Sequence, residues 1–423
     1  MKSFVAIALT WASGYLAGAD PTGTTSAASG LNVQVGPRPY YLIEQMAPSA
    51  LKTQLQDCSD GPFVVSDFSI SHRGAPLQFP EHTVEGYQAA ARMGAGIIEC
   101  DVTFTADGEL VCRHAQCDLH ATTDIVARDD LRQKCSVPPR FAPNGELTNA
   151  ADVTCCATDL TLADFRSLCG TMEGANPNAR SVAAYLQATT SFRTDLYSTC
   201  GTLISHAESI SLFGRLGVKF TPELKGVHVD ASGNPALPKS GFGTSGLDQQ
   251  SYASRLIAEY QAAKVKPEDV FVQSFDLRDL RHWLASHPDF GRQAVYLIQT
   301  PGAPSPAELY QQGVRILGVP IGMLLDLPEQ KHEQHAFVAS DYAIQARAAG
   351  LELIAWSAER SGRMREEVKR YDGAFYYDSI HPGISDDGAV MAILHALNSQ
   401  VGVRGVFSDW PGTTSYYASC LGR

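Results

Sequence analysis

Two imidazoles, a guanidinium and two carboxylates crowd into one short stretch of the chain: His72-Arg73-Gly74, then Glu99-Cys100-Asp101, then His114. Those are the parts needed to break a phosphodiester. Imidazole titrates near neutral pH, so His72 and His114 can give or take a proton there. Arg73 can fork onto two phosphate oxygens, which a lysine cannot do; its plainer role is an ion pair with Glu81. Glu99 and Asp101 lie two apart on an otherwise apolar run and are costly to bury unless a cation meets them, a divalent metal being the simplest. A third acid, Glu223, stands in Val218-Lys219-Phe220-Thr221-Pro222-Glu223-Leu224-Lys225 with Lys225 on the same face. Alone, that pair reads as an exposed couple on a fraying strand, and each histidine as a hydrogen-bonded rim residue. Taken together, Glu99, Asp101 and Glu223 make an oxygen-rich cage suited to Mg²⁺ or Ca²⁺. Lys225 then faces a phosphate.

The elements that must position these groups are short strands. Asp67 to Ser71 reads as a strand running into His72, and Gly96 to Phe104 as a β-branched strand interrupted by its acids. Thr83 to Met93 between them has helical composition, which makes one β-α-β unit with parallel, adjacent strands. Side chains alternate along a strand, so Glu99 and Asp101 share a face and Cys100 takes the other. Apolar runs recur at 68–72, 97–103, 110–114, 218–224, 269–275, 294–299, 315–320, 351–357 and 404–410, with helical stretches between. Eight strand-helix units predict a closed (β/α)8 TIM barrel. The ninth run, Glu109 to His114, follows the turn Ala106-Asp107-Gly108 and is expected to fold back as a hairpin. Residues 115–217, with six of the ten cysteines, are expected to form a disulfide-pinned, partly helical insertion. Residues 226–252, rich in Gly, Pro and Ser, make a second insertion, and both follow strand C-termini, where barrel active sites lie.

The domain reading is a secretory signal over 1–19, an N-terminal extension over 20–62 and the barrel over 63–423. Lys2, the apolar run Phe4 to Leu16 and Ala17-Gly18-Ala19 have the pattern of a cleaved signal, so the protein is expected to be secreted and extracellular. No later run is long enough to cross a bilayer. Ten cysteines behind such a leader favour disulfides, and no C-x-x-C pair suggests zinc. Cys58 is expected to hold the extension, while Cys100 can be read as a small core residue. The pairing and the oligomeric state do not follow from sequence. A net charge of −12 argues against nucleic acid, which needs a basic face, and mildly against anionic membranes.

The set Ser71-His72-Arg73-Gly74, Pro80-Glu81-His82-Thr83, Glu99-Cys100-Asp101, His114, Glu223-Leu224-Lys225 and Leu353-Ile354-Ala355-Trp356 resembles the glycerophosphodiester phosphodiesterases, especially long secreted fungal members. The resemblance runs from about 68 to 411 and ends on Gly405-Val406-Phe407-Ser408-Asp409-Trp410-Pro411. It implies a TIM barrel, His72 and His114 as acid/base pair, Glu99, Asp101 and Glu223 as metal ligands, and Arg73 and Lys225 on the phosphate. Trp356 would line the glycerol or head-group side; taken alone it reads equally as rim packing. Two positions depart from the family pattern: His82 replaces a usual Asn, and Ala115 a usual Asp after the second histidine, for which Asp118 is a candidate substitute. The expected reaction is metal-dependent hydrolysis of a small-molecule glycerophosphodiester to glycerol phosphate and an alcohol. The alternatives are a sphingomyelinase D-like phospholipase D and a non-catalytic secreted binding protein on the same barrel. Gly241-Phe242-Gly243-Thr244-Ser245-Gly246 fits G-x-G-x-x-G but lacks a preceding strand and reads as a loop. His332, His335, His282 and His287 read as residues of solvated segments.

Overall fold

The computed structural model describes residues 32–197, 199–226, 242–302, 304–328, 336–371 and 374–423. The expected signal, the start of the extension, most of the second insertion, Gly241, His332 and His335 lie outside them. Eight parallel strands close on themselves: β1 (Ser66–Ser71), β2 (Ala95–Phe104), β3 (Lys219–Leu224), β4 (Gln273–Ser274), β5 (Val295–Leu297), β6 (Ile316–Pro320), β7 (Glu352–Ala358) and β8 (Gly405–Ser408). β1 pairs with both β2 and β8, which closes the (β/α)8 barrel. The ninth apolar run is Leu110–Cys112, antiparallel to β2, as the turn before it predicts.

Strand alternation builds the interior in layers. Ile70, Ile97, Phe271, Val295, Leu297, Ile316, Ile354 and Phe407 fill the lower layer with apolar side chains. One step toward the strand C-termini, the same inward face carries His72, Glu99, Gln273, Trp356 and Asp409. The outer face of the sheet packs on a second core that includes Tyr87, Phe213, Tyr252, Trp283 and Tyr417. Thr83 caps the helix Val84–Arg92 by accepting from the Gly86 N–H, so the helix of the β1–β2 connection begins where its composition indicates.

The insertion between the hairpin and β3 has its own core, including Leu119, Ile125, Val126, Leu147, Phe165 and Tyr185. Cys117–Cys156, Cys135–Cys155 and Cys169–Cys200 pin it. The last part of 115–217 differs from expectation: helix His206–Leu216, with the capping box Ser205/Glu208, packs Ile210, Leu212 and Phe213 into the main core as an ordinary barrel helix. Likewise, helix Gln249–Ala262 begins inside 226–252. Cys100 is both things at once, buried in the core and bonded to Cys112, which staples the hairpin to β2.

The described part of the extension belongs to the core. Val33, Val35, Leu42, Ile43 and Leu55 are buried there, and Cys58 is bonded to Cys420 in the C-terminal helix Pro411–Leu421, 362 residues away. Closing so long a loop restricts the unfolded chain strongly. A Cys58→Ser/Cys420→Ser double variant is expected to lose about 2–5 kcal/mol in urea unfolding, with activity at 25 °C retained. An unchanged midpoint would show that the packing alone holds the extension.

Candidate active site

In-register pairing sets Asp101 directly beside Glu223, and Glu223 beside Gln273. That register brings the three predicted carboxylates together: one oxygen each from Glu99, Asp101 and Glu223 lies within 4.8 Å of the others. They are 3, 1 and 6 % exposed. Glu99 accepts from the Arg73 backbone N–H at 3.1 Å and from Gln273 Nε2 at 2.8 Å. The Lys225 ammonium lies 2.6 Å from Glu223 and 4.0 Å from Asp101. Asp101 Oδ1 is buried without a hydrogen-bond donor among the described residues, an acceptor a cation would satisfy. Three hard oxygen donors and one orphaned lone pair fit a divalent metal.

The charges show the strain of this crowding. Burial, then Asp101 and Glu223, push the Glu99 carboxyl well above its usual range. Glu223 is pushed up to about 7 by burial and by Asp101, with Lys225 opposing. Burial would raise Asp101 too, but Lys225, His82 and Arg73 outweigh it and hold Asp101 well below the carboxylate range. Like charges in one cavity cannot all ionise cheaply.

Arg73 leaves β1 at φ +59°, which turns its N–H to Glu99. Its side chain reaches Glu81 at 3.1 Å and Asp101 at 3.3 Å, so the ion pair with Glu81 and a place beside the carboxylate cage coexist. His72 sits at the end of β1 with Nε2 3.9 Å from Glu99 and Nδ1 2.6 Å from Asp409. Burial and then Arg73 lower it to about 4, with Asp409 opposing. His114 is half-buried at the end of the hairpin; burial, Arg73 and Lys225 hold its pKa well below 6.5.

Both departures from the family pattern have a structural reading. His82 Nε2 is 2.9 Å from Asp101, and its Nδ1 2.9 Å from the Tyr87 hydroxyl. With Nε2 protonated, it donates to Asp101 as an Asn amide could. Asp118 accepts the Ala115 N–H at 3.1 Å, so it fixes the turn after His114 and makes no bond to the ring.

Sequence reasoning missed a clamp beside His72. Asp409, one residue past β8, is fully buried and takes Arg193 at 2.8 Å and Arg360 at 3.1 Å on its second oxygen. Arg193 also reaches Glu81 at 3.3 Å and Glu173 at 3.1 Å; Arg360 reaches the same two acids at 2.9 and 3.3 Å. The insertion therefore supplies Arg193 and Glu173 to the site, and the segment after β7 supplies Arg360. Arg113 donates to the backbone carbonyls of Glu81, Cys112 and Thr122. His282 and His287 share the Ser254 hydroxyl, away from this cluster.

A model of the Glycerophosphoryl diester phosphodiesterase family matches residues 72–413. The chain belongs to that family. The match begins at His72 and runs past Asp409, so it spans the whole candidate cluster. A protein of Arthroderma benhamiae described as an extracellular protein is 42 % identical over 259 residues, covering 59 % of this chain and 99 % of its own length. A glycerophosphodiester phosphodiesterase of Bacillus subtilis is 37 % identical over 68 residues, 16 % of this chain and 23 % of that protein. A solved structure of a glycerophosphoryl diester phosphodiesterase of Silicibacter pomeroyi aligns over 86 % of this chain and 95 % of its own, with a TM-score of 0.52 and 18 % identity, which supports the fold. Among the described residues, no helix is long and apolar enough to cross a membrane.

Proposed function

We propose that the protein hydrolyses glycerophosphodiesters to glycerol phosphate and a free alcohol, with a divalent ion held by Glu99, Asp101 and Glu223. The convergence of three buried carboxylates, one with an orphaned oxygen, beside His72, Arg73 and Lys225 carries this reading. When bound, Mg²⁺ or Ca²⁺ would neutralise charge on the phosphoryl oxygens. Arg73 and Lys225 bind the remaining oxygens and stabilise the negative charge that grows in the transition state. His72, neutral at pH 7, takes the proton of the nucleophile on Nε2. Burial, Arg73 and Lys225 keep His114 neutral before substrate binds; the phosphodiester's negative charge, paired with Arg73 and Lys225, offsets those two cations, so that His114 takes up a proton and returns it to the leaving alkoxide. The nucleophile is water, or the neighbouring glycerol hydroxyl through a cyclic phosphate. On this reading residues 1–19 direct export, and the five disulfides suit the extracellular space.

The histidine roles separate by leaving group. His114→Ala is expected to lose about 10²–10⁴-fold on glycerophosphodiesters, but much less on a nitrophenyl ester, whose leaving group needs no proton. His72→Ala is expected to lose as much on both. Equal losses for the two variants on both substrates would reverse or remove the assignment. A head-group panel including sphingomyelin and lysophosphatidylcholine, run after EDTA stripping and reloading with Mg²⁺ or Ca²⁺, tests the reaction itself. Turnover of sphingomyelin but not of the soluble diesters would favour a phospholipase D, and ligand binding without turnover under any ion a binding protein.

A further inference from the structure

His72 and His114 are held in the site by different means. The His72 ring is fixed by a side chain, with Nδ1 2.6 Å from Asp409. The His114 ring makes no hydrogen bond among the described residues, and Asp118 bonds the Ala115 N–H rather than the ring. An imidazole on two free torsions does not stay aimed by itself, so the backbone must aim it. Strand alternation would aim it the wrong way. Cys112 pairs with Val102 and faces the outer core, and the same period carried on would put His114 on that outer face. The chain instead bends at His114, and the ring comes under the influence of Arg73, Lys225, Asp101 and Glu81.

Two devices fix the bend. The first is the Cys100–Cys112 disulfide, whose Cα atoms lie 5.3 Å apart on the outer face. Cys100 stands between the cage acids Glu99 and Asp101, and Cys112 ends its strand two residues before His114. The bond therefore ties the approach to His114 to the cage itself. The second device is Arg113. Its N–H donates to the Asp101 carbonyl at 2.8 Å. Its side chain turns back to the carbonyls of Cys112 at 2.9 Å, of Thr122 at 3.3 Å and of Glu81. An arginine is rarely buried without a carboxylate partner, yet Arg113 is buried and makes no ion pair among the described residues. Its donors go to the strand end, to the loop before helix Val84–Arg92 and to the insertion's helix Leu119–Thr122, the segments that meet around His114.

We infer that Cys100, Cys112 and Arg113 are positioning residues for His114: the disulfide and the buried guanidinium turn the end of the hairpin inward and hold the imidazole there, as Asp409 holds His72. The effect on rate rests on the hydrolase reading above; the effect on the ring does not. A strand of three residues is short, and a two-stranded hairpin is marginal by itself. With Cys112 freed, the bend can relax and the ring can follow the strand outward. A misplacement of about 1 Å at a reacting group costs about 10²-fold in rate, and the loss falls on the step that His114 serves.

The test uses the full-length protein with the pair Cys100→Ala/Cys112→Ala, which leaves no free thiol. The ladder to β2 and the bond from the Cys112 N–H to the Ile204 carbonyl remain, so the variant should fold, with a lower urea midpoint. It is expected to lose about 10²-fold in kcat on glycerophosphocholine but no more than about 3-fold on a nitrophenyl ester, whose leaving group needs no proton. In a His114→Ala background the same pair should cost nothing further. Arg113→Lys keeps the disulfide and the charge, but one ammonium cannot span three segments; it should show the same split between substrates and replaces the double variant if that fails to fold. Ring NMR of the metal-free protein reads the geometry without turnover. His114 should titrate well below 6.5 in the wild type and rise toward 6.5 in both variants as it leaves burial and the two cations, while His72 stays at about 4. Equal losses on the two substrates, a further loss in the His114→Ala background, or an unmoved His114 titration in a folded variant overturns the inference. A wild type that hydrolyses no diester sinks the hydrolase reading alone, and the His114 titration then still decides what the disulfide and Arg113 do.

Discussion

Replacing Glu99 by Gln is expected to cut kcat/KM by at least about 10²-fold, the upper effect of disturbing a metal ligand's own support, while making the metal-stripped protein harder to unfold. Glu99 is buried between Asp101 and Glu223, and its carboxyl is pushed well above the ordinary range by burial first and those neighbours next. A folded-state pKa raised above the unfolded one gives stability that is complete below the unfolded carboxylate range and is lost as pH rises through the folded value. The EDTA-treated wild type should therefore melt at progressively lower temperature from pH 5 to pH 8. Gln carries no charge, so the variant should show a shallower fall and a higher melting temperature at pH 8. Excess Mg²⁺ should reverse the order, since only the wild type gains the stabilisation of a bound ion. Melting curves at both pH values, with and without Mg²⁺, measure this. An equal Mg²⁺ shift in both proteins, or a less stable variant at pH 8 in EDTA, would falsify the account.

Glu99, Asp101 and Glu223 are legible in the sequence because period-two alternation and strand order are local rules, and the register that sets Asp101 against Glu223 follows from adjacent parallel strands. The barrel follows from the same count. The clamp is another matter. His72 and Asp409 are 337 residues apart and meet only because β1 and β8 close the sheet. Alternation could still have flagged Asp409, since it stands two residues beyond inward-facing Phe407, as His72 does beyond Ile70. Nothing comparable marks Arg193 or Glu173. They lie in an insertion with its own core, where no strand period governs direction, and their placement depends on a disulfide pairing that spacing does not determine. Helix His206–Leu216 did carry signals, the Ser205/Glu208 box and Gly217 after its end, but they are hidden when cysteine density is taken to mark the insertion's extent. His82 is the reverse case: a departure from the family pattern whose hydrogen bond to Asp101 preserves the donor.

The clamp also makes its own prediction: Asp409→Asn is expected to cost about 10²–10⁴-fold in kcat, the range seen when a histidine base is held in the wrong tautomer. Asp409 has two oxygens with different duties. One accepts from His72 Nδ1 at 2.6 Å, and the other is held by Arg193 and Arg360. Burial would raise this carboxyl, but Arg360, His72 and Arg193 outweigh it and hold Asp409 at about 2, so it is an acceptor at every working pH. With Nδ1 donating, the lone pair on Nε2 is free to face the carboxylate cage, and a His72 lowered to about 4 arrives neutral. An asparagine would keep the shape and break this arrangement. The arginines accept no donor, so they would take the amide oxygen and turn the NH₂ group toward Nδ1. That nitrogen would then have to accept, which places the proton on Nε2 and disables the base. Asp409→Ala presents no wrong donor, so it should lose less than Asp409→Asn in kcat even though it leaves the two guanidiniums unpaired and lowers stability more. The pair of variants, compared by steady-state kinetics and by urea unfolding, distinguishes tautomer control from simple support of the fold: an Asn variant within about 3-fold of wild type, or an Ala variant slower than the Asn, would rule out Asp409 as the group that sets the proton on His72.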